Sequence, residues 1–591
     1  MNAMKRREFL YMMAVLGAAP VFANAHMRLS PNGKLEDYYK LKPFGNARIL
    51  HTTDSHAQLM PVYFREPSVN IGLYANQGKP PHIVGKNLLE YYKITHNPRL
   101  AYALSCVDFE KHGEVMGRVG GFAHLKTAVD FLRTSFGHEK TLLLDGGDTW
   151  QGSWTALQTR GKDMVGAMNL LGVDATVGHW EFTYTEQEIL DNIKALNAEF
   201  LAQNIHVKED AIMDEKFTPY DEDSGLAFKP YTIKKMGKAR VAIIGQAFPY
   251  TAIANPQRFI PDLTFGIEAE GMQEMVNMVR KKEKPDAVIV LSHNGYDVDK
   301  KMAHVVTGID FIMGGHTHDG VPEAYPVANK KGTTYVCNAG SNGKFLNVLD
   351  LDIQKGKVVD FKFTLLPIFS DLTPENKAMK NYIAGVRKPF LKELERPLAT
   401  TEIALFRRGN FNGTWDQVIV DALRQVGGAD IALSPGFRWG TSLLAGQKIT
   451  FDDLATQTAM TYPETYVKEM DGKTIKVILE DVADNLFNKD PFYQQGGDMV
   501  RTGGLSYRID PTQEIGKRIT DMILLNGKKL EASKTYKVAG WATVGSKSPG
   551  KPVWELVEEY LKNVKAIKRG YTIESPEVVG IKGNPGMVAC G

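Results

Sequence analysis

Cysteine is scarce: Cys106, Cys337 and Cys590 are the three in 591 residues. Three cannot build a disulfide framework. No two stand in C-x-x-C spacing, which excludes a zinc knuckle and a thioredoxin-like site. Net charge is nearly absent as well. The 71 Lys+Arg against 68 Asp+Glu leave +3, so no global positive field and no basic block point to nucleic acid. Beyond residue 25 no apolar run approaches the ~20 residues that a bilayer span needs. Internal repeats and low-complexity tracts are missing too. A chain 43% hydrophobic and 24% charged has an ordinary globular composition, which excludes collagen-like, coiled-coil and extensively disordered classes. At roughly 100–200 residues per domain the length implies several domains or two large ones.

The first residues read as an address. Lys5-Arg6-Arg7-Glu8-Phe9-Leu10 precedes an apolar stretch at 11–22, and Ala23-Asn24-Ala25 follows as a small-residue cleavage site. A basic region, a short apolar region and an A-x-A cut define a signal peptide over 1–25. Paired arginines followed by Phe-Leu read as a twin-arginine signal; a general secretory signal with incidental arginines is the alternative. The expected location is the periplasm, with no membrane attachment after cleavage.

From about 45 to 370 short apolar strands alternate with amphipathic helices. Strands are predicted at 47–52, 141–144, 240–245, 287–291 and 310–313, and helices at 164–171 and 272–281. Alternation of this kind predicts a layered α/β domain. Thr373-Pro374 opens a Lys/Glu-rich helical stretch to about 394, read as a linker helix within 371–397. A second, smaller α/β domain is expected over 398–575, with helices at 415–425 and 472–487 and strands at 505–509, 518–524 and 535–539.

Fourteen histidines matter more than three cysteines, because several cluster. Five segments stand out: His51-Thr52-Thr53-Asp54-Ser55-His56, Asp145-Gly146-Gly147-Asp148, Gly178-His179-Trp180-Glu181-Phe182, Ser292-His293-Asn294 and Gly314-Gly315-His316-Thr317-His318. Four follow directly on an apolar predicted strand, and the strands of one sheet can end at one edge. Carboxylate oxygen and neutral imidazole nitrogen without cysteine suit manganese, iron or zinc. D-x-H on extended chain puts Asp54 and His56 on one side, and His316 and His318 share that spacing. A single D-x-H or G-H-x-H is a weak signal; five such segments in this order are a strong one.

The order D-x-H, G-G-D, G-[NH]-H-E, a lone His, then G-H-x-H resembles the calcineurin-like metallophosphoesterases. Gly120-Gly121-Phe122-Ala123-His124-Leu125 and a separate C-terminal domain resemble their 5′-nucleotidase branch. The resemblance implies a metallophosphoesterase-type β-sandwich flanked by helices, plus a 5′-nucleotidase-type C-terminal domain. It assigns Asp54, His56 and His318 to one metal and His179, His293 and His316 to another, with Asp148 bridging. The third segment departs from it. The nucleotidases carry Gly-Asn-His-Glu-Phe-Asp there, with the Asn a ligand and the His and final Asp a dyad at the attacked phosphoryl group. Here His179 stands for the Asn, Trp180 for the His and Thr183 for the Asp. Indole is a donor only and can serve neither as acid nor as base. The ligands survive while the dyad is lost, which implies another electrophile rather than a dead enzyme.

Other stretches share that departure. His51–Ile71, Gly178-His179-Trp180-Glu181-Phe182-Thr183-Tyr184 and Gln494-Gln495-Gly496-Gly497-Asp498-Met499-Val500-Arg501 resemble the SoxB family, the thiosulfohydrolases of the sulfur-oxidising Sox system. That resemblance implies hydrolysis of a cysteine S-thiosulfonate on the C-terminal arm of the SoxYZ carrier, releasing sulfate, by a hydroxide held on two Mn(II) ions; zinc and iron suit the same donors. A sulfonate is tetrahedral and anionic like a phosphate, and arginine is its natural fork. Arg438 in Gly436-Phe437-Arg438-Trp439-Gly440 and Arg501 are the candidates, each with a salt-bridge role as the alternative. Trp180, Trp439 and Tyr184 are candidate walls of a narrow channel, with a core role as the alternative. An exported 5′-nucleotidase or 2′,3′-cyclic phosphodiesterase, and a metal-stabilised binding protein, are the other readings.

Overall fold

A computed structural model describes residues 39–545 and 547–590; the signal read over 1–25 lies outside them. Among the described residues no helix is long and apolar enough to cross a membrane.

Two six-stranded sheets build the first half. One runs, in spatial order, Lys357–Pro367, Phe345–Gln354, Ala47–Thr52, Thr141–Asp145, Ala175–Thr176 and Glu199–Phe200. The other runs Tyr325–Asn329, Gly332–Asn338, Phe311–Gly314, Ala287–Ser292, Ala239–Gln246 and Tyr231–Met236. Ala47–Thr52 pairs parallel with Thr141–Asp145, His51 opposite Leu144. In the second sheet Ala239–Gln246, Ala287–Ser292 and Phe311–Gly314 are mutually parallel. Alternate side chains explain how the sheets stack. Ile49, Leu144, Ile243, Ile289, Leu291 and Met313 come from both sheets and form one buried cluster between them. Their neighbours Ala242, Ile244, Val288, Val290 and Ile312 point outward, onto Met272, Val276 and Val279 of helix Ala269–Lys282 and onto Met302 of helix Tyr296–Val305. Parallel strands buried on both faces read as unbroken apolar runs, which is why 287–291 is Ala-Val-Ile-Val-Leu.

The 371–397 stretch is not one helix from Thr373. Asn376 accepts from Ala378 N and Met379 N and caps a helix Lys377–Arg387, continued by a 3-10 turn at Lys388–Phe390 and a short α-helix Leu391–Leu394, so the helical stretch ends where expected and starts later. The capping side chain of Asn376, just past Pro374, sets the start. This helix rests on the first half, with Tyr382 Oη donating to Asp163 O at 2.8 Å.

A four-stranded sheet, Thr465–Asp471, Thr535–Trp541, Ile431–Gly436 and Asp498–Gly503, centres the C-terminal half. Ala432 and Ala539 face Val418, Ala422 and Val557 of helices Thr414–Gly427 and Val553–Val564. Ile431, Leu433 and Val538 face Ile475, Leu479 and Ala483 of helix Gly472–Phe487. Ile431–Gly436 and Asp498–Gly503 are antiparallel neighbours, Ser434 opposite Arg501. The chain leaving the first and the chain entering the second therefore sit side by side.

The tail beyond 575 returns to the first half. Glu577–Val578 pairs with Arg508 and Ile509, Met587 bridges Val69, and Asn584 Nδ2 donates to Gly72 O at 2.9 Å. Scarce as cysteine is, two of the three meet here: Cys106 and Cys590 form a disulfide across 484 residues, with Cα atoms 5.7 Å apart, while Cys337 is free and buried.

Candidate metal centre and its cavities

Every predicted ligand sits on a loop leaving the carboxyl end of a strand. Asp54 and His56 follow Ala47–Thr52, Asp148 follows Thr141–Asp145, and His179 follows Ala175–Thr176. His293 follows Ala287–Ser292 at once, and His316 and His318 follow Phe311–Gly314. Open α/β sheets place their sites at this edge. The donor atoms of Asp54, His56, Asp148 and His318 all lie within 4.8 Å of one another, as do those of Asp148, His293 and His316. Asp148 belongs to both groups. His293 Nε2 is 3.0 Å from Asp148 Oδ2, and His318 Nε2 is 3.2 Å from Asp54 Oδ1. The His179 ring lies 5.4 Å from that of His293 and 5.2 Å from that of His316, centre to centre.

The loops are strained and tightly held. Asp54, His56, Asp148, His316 and His318 all have left-handed backbone, with φ of 51°, 44°, 57°, 74° and 61°. Each such non-glycine residue costs on the order of 1–3 kcal/mol and persists only where its surroundings impose it. Those surroundings are visible. Glu181 accepts backbone N–H bonds from His179 and Thr149 at 2.8 and 2.7 Å, and from Asp148 and Trp150 at 3.3 Å, tying two ligand loops together. Trp180 N donates to Asp148 Oδ1 at 2.8 Å, and His316 N donates to Asp54 at 3.0 Å. Gly147, at φ 87°, lets the chain pass Val177, whose carbonyl oxygen a Cβ would meet at 2.9 Å.

The chemistry of the donors fits divalent cations. Nδ1 of His56 faces Gln151 O at 3.2 Å and Nδ1 of His293 faces Gly146 O. A carbonyl only accepts, so each Nδ1 carries the proton and each Nε2 presents a lone pair to the centre. Nε2 of His56 and of His318 are 3.0 Å apart. Burial pulls His56 down to about 3 and holds His179 and His316 well below the ordinary imidazole range, which suits neutral donors to a cation. Burial pushes the Asp148 carboxyl up to about 7. Burial also works against a charged His293, but Asp148 and Asp54 outweigh it and raise that ring to about 10. A cation placed between them takes over the role of that proton. Buried Nε2 of His293, both ring nitrogens of His316, and Nδ1 of His179 and His318 have no hydrogen-bond partner. Two carboxylates and five imidazoles with such orphaned nitrogens suit a pair of borderline-to-hard ions.

A cavity of about 220 Å³ opens beside the centre and is walled by Trp180, Phe248, Phe437, Trp439, Tyr462 and Arg438. The Trp180 ring stands edge-on to Trp439 at 5.1 Å and to Phe437 at 5.6 Å. Thr183 does not meet a carboxylate partner; its Oγ1 lies 2.6 Å from Thr461 Oγ1. Arg438 reaches the wall from the end of Ile431–Gly436, donating to Gly497 O at 2.7 Å, and its buried Nε has no hydrogen-bond partner.

Two candidates lie elsewhere. Arg501 is fully buried and lines neither this cavity nor its neighbour. It is held between Asp416 at 3.4 Å and Asp498 at 3.2 Å, because a buried guanidinium needs carboxylate partners. Tyr184 is buried in the core, its Oη donating to Trp150 O at 2.8 Å, and is no channel wall. Sequence reasoning passed over Arg408, which is buried beside the ligand loop and donates to Thr317 O at 2.7 Å and Asp319 Oδ1 at 2.9 Å. It also gave Glu181 and Gly496 no role. A Cβ on Gly496 would fall 1.8 Å from His316 Nε2.

Residues 398–554 match the family description "5′-nucleotidase, C-terminal domain". Among curated relatives, the chain is 27% identical to the Bos taurus 5′-nucleotidase over 462 residues, 71% of this chain and 76% of that one. It is also 27% identical to the trifunctional nucleotide phosphoesterase protein YfkN of Bacillus subtilis over 474 residues, 73% of this chain but 31% of that much longer relative. Among solved structures, the sulfate thiohydrolase SoxB of Thermus thermophilus superposes with a TM-score of 0.84 at 34% identity, covering 91% of this chain and 98% of that one. The chain belongs to the SoxB family. A 5′-nucleotidase precursor, also from Thermus thermophilus, shares the fold at a TM-score of 0.70 and 22% identity, over 90% and 99% of the two chains. The SoxB family thus sits within the 5′-nucleotidase branch, and its likeness to this chain spans the metal centre and the C-terminal sheet together.

Proposed function

We propose that the protein hydrolyses a cysteine S-thiosulfonate carried on the C-terminal arm of a SoxYZ-type carrier, releasing sulfate. The observation that carries the reading is a buried donor set of Asp54, His56, Asp148, His293, His316 and His318 beside a cavity walled by Trp180, which with Thr183 behind it stands where a phosphoesterase needs its His–Asp dyad. Manganese is the proposed metal, at two ions per chain, held by Asp54, His56 and His318 on one side, by His179, His293 and His316 on the other, and by Asp148 between. Such a pair, when bound, activates a water and clamps an anionic transition state.

The protein's own groups do the rest. In the overall reaction the bond between the sulfonate sulfur and its neighbouring sulfane sulfur breaks, and water supplies the new S–O bond. The electron pair leaves with the carrier, which keeps a persulfide; sulfate and one proton are released. A persulfide leaves more readily than an alkoxide, so little protonation is needed and Trp180, which has no acid to offer, suffices as a wall. Arg438 offers N–H donors to the sulfonate oxygens from the cavity wall. Its aromatic neighbours fit a slender peptide arm. The periplasm, reached by the twin-arginine route, is the proposed location; the Cys106–Cys590 disulfide supports an oxidising compartment.

Sulfate released from carrier-bound thiosulfonate by the manganese-loaded protein is the test, and no release would end the reading. The nucleotidase relatives support a second reading, exported phosphoesterase activity. Phosphate release from AMP at nucleotidase rates would favour it. Trp180→His alone should not create such activity, because Thr183 cannot orient the new imidazole. Trp180→His with Thr183→Asp is the variant expected to gain it.

A further inference from the structure

A second cavity of about 220 Å³ backs onto the first, and the two share His316, Arg438, Gly496 and Gly497 as a common wall. Their linings differ in kind. The first is largely aromatic, whereas the second sets the amides of Asn70, Asn76, Asn410, Asn485, Asn488 and Gln494 among apolar side chains such as Leu73, Val298 and Phe487. Its outer end reaches the surface at Tyr74, which is half-exposed, and at the exposed Lys489. Its inner end holds Arg408 and Arg438, each with a buried Nε that lacks a hydrogen-bond partner. The carboxylates that line it are already balanced. Asp319 pairs with Arg408 at 2.9 Å, and Asp297 pairs with His82 at 2.9 Å and with Lys300 at 2.8 Å. At the common wall Gly496 and Gly497 both have φ of 78°, and Gly496 packs on the His316 ring, where a Cβ would fall 1.8 Å from Nε2.

We propose that this amide-lined cavity is the path by which the small oxyanion product leaves the metal centre, separate from the aromatic cavity that admits the carrier arm. The inference rests on the thiosulfohydrolase reading in one respect. There the arm remains covalently part of the carrier and fills the aromatic cavity at the moment sulfate forms at its inner end. Sulfate is then enclosed between the arm and the metal ligands. An aromatic wall offers a doubly charged ion nothing in exchange for its water. The two guanidinium groups do, each with a buried Nε that has no hydrogen-bond partner, and Arg438 belongs to both cavities, so the ion passes without losing its last charged partner.

The test uses the manganese-loaded full chain and inorganic sulfate, and it needs no carrier. Val544, on the first cavity, and Asn485, on the second, hold no place in the ligand set or among the arginines. Exchange of bound radiolabelled sulfate is followed in wild type, Val544→Trp, Asn485→Trp and the double variant. Each single variant should slow exchange less than threefold, since one mouth stays open. The double variant should slow it at least thirtyfold, with Kd changed less than threefold and metal content intact. Exchange in the double variant no slower than in Val544→Trp alone would overturn the proposal, as would a wild-type protein that binds no sulfate. Asn488→Trp is a second plug on the same wall should Asn485→Trp fail to fold, and Asn485→Ala should exchange like wild type. The functional reading is judged by a different measurement, sulfate formed from the carrier, so either can fail while the other stands.

Discussion

Asp148 and Asp498 both end up buried where a strand meets the site, 1% and 3% exposed, yet their charges are balanced in opposite ways. Around the metal centre, burial pushes Asp145 up to about 8 and Asp148 and Asp299 up to about 7, and no arginine pairs with any of them. In the C-terminal half, burial also opposes the Asp498 charge, but the guanidinium groups of Arg438 and Arg501 outweigh it and hold the carboxyl below its usual range. Asp416 there has Arg407 at 2.9 Å and Arg501 at 3.4 Å. One half therefore pairs these buried carboxylates with arginine, while the other leaves Asp148 among imidazoles in a group that could hold metal. The difference gives the two halves separate roles. The second holds its guanidinium groups rigidly against carboxylates, and the first gathers carboxylates and imidazoles that could hold ions.

The sharpest way to break that contrast is Asp148→Ala. As the shared donor, its removal should take metal content from two ions per chain to fewer than 0.5 by elemental analysis, and lower sulfate release by at least about 10⁴-fold, about 5 kcal/mol of transition-state stabilisation. One ion retained with substantial activity would end the bridging role.

Arg501→Ala should act only on the other side. It leaves Asp416 and Asp498 buried with one cation fewer, and the expected cost is about 3–5 kcal/mol in denaturant unfolding, with metal content unchanged in the folded protein. Arg438→Lys keeps the charge and loses the fork. It should lower kcat/KM for the carrier substrate by roughly 10–100-fold, about 1–3 kcal/mol, at normal metal content and stability. Wild-type kinetics in Arg438→Lys would remove it from the sulfonate.

The smallest expected effect is a slope with pH. Asp299, about 7 when folded and near 4 when unfolded, holds a proton that the unfolded chain has released across pH 4–7. Its contribution to stability is therefore full below pH 4 and is lost as pH rises toward 7. Asp498 works in the opposite sense: its contribution is present above about pH 4 and fades as pH falls through its lowered folded value. In Asp299→Asn, urea midpoints measured from pH 4 to 8 should lose about 1–2 kcal/mol of the decline seen in wild type. An unchanged slope would show that Asp299 is not protonated in the fold.

The central strands were legible because parallel strands buried on both faces must be continuously apolar: the strand at 287–291 extends by one residue and that at 310–313 shifts by one. The strands at 47–52 and 505–509, each with an antiparallel neighbour, coincide with the observed ones, the latter through its alternation of buried Leu505, Tyr507 and Ile509. The helix at 472–487 coincides as well, marked by Asp471, whose side chain caps it. The start near 373 was misplaced because Pro374 and Asn376 are both good initiators, and only packing chooses between them. Arg438 and Arg501 looked equivalent in the sequence, each three residues or fewer from a glycine. Their separation came from the pairing of Ile431–Gly436 with Asp498–Gly503, which sets one guanidinium at the cavity and the other among carboxylates.

Composition, the strand–loop alternation and the residue types at five strand ends determined by themselves a layered α/β chain with histidine–carboxylate clusters able to hold metal, and the resemblance to the 5′-nucleotidase branch marked Trp180 as standing at a dyad position. Those are properties of residue identity and local spacing. The tertiary structure alone decided which donors lie within reach of one another, the left-handed backbone that aims five of them, the burial of Arg501 and Tyr184, the placement of Arg408, the Cys106–Cys590 bridge and the existence of two back-to-back cavities. Each of these depends on contacts between residues far apart in the chain, where side-chain direction is set by packing and charge balance rather than by neighbours in sequence.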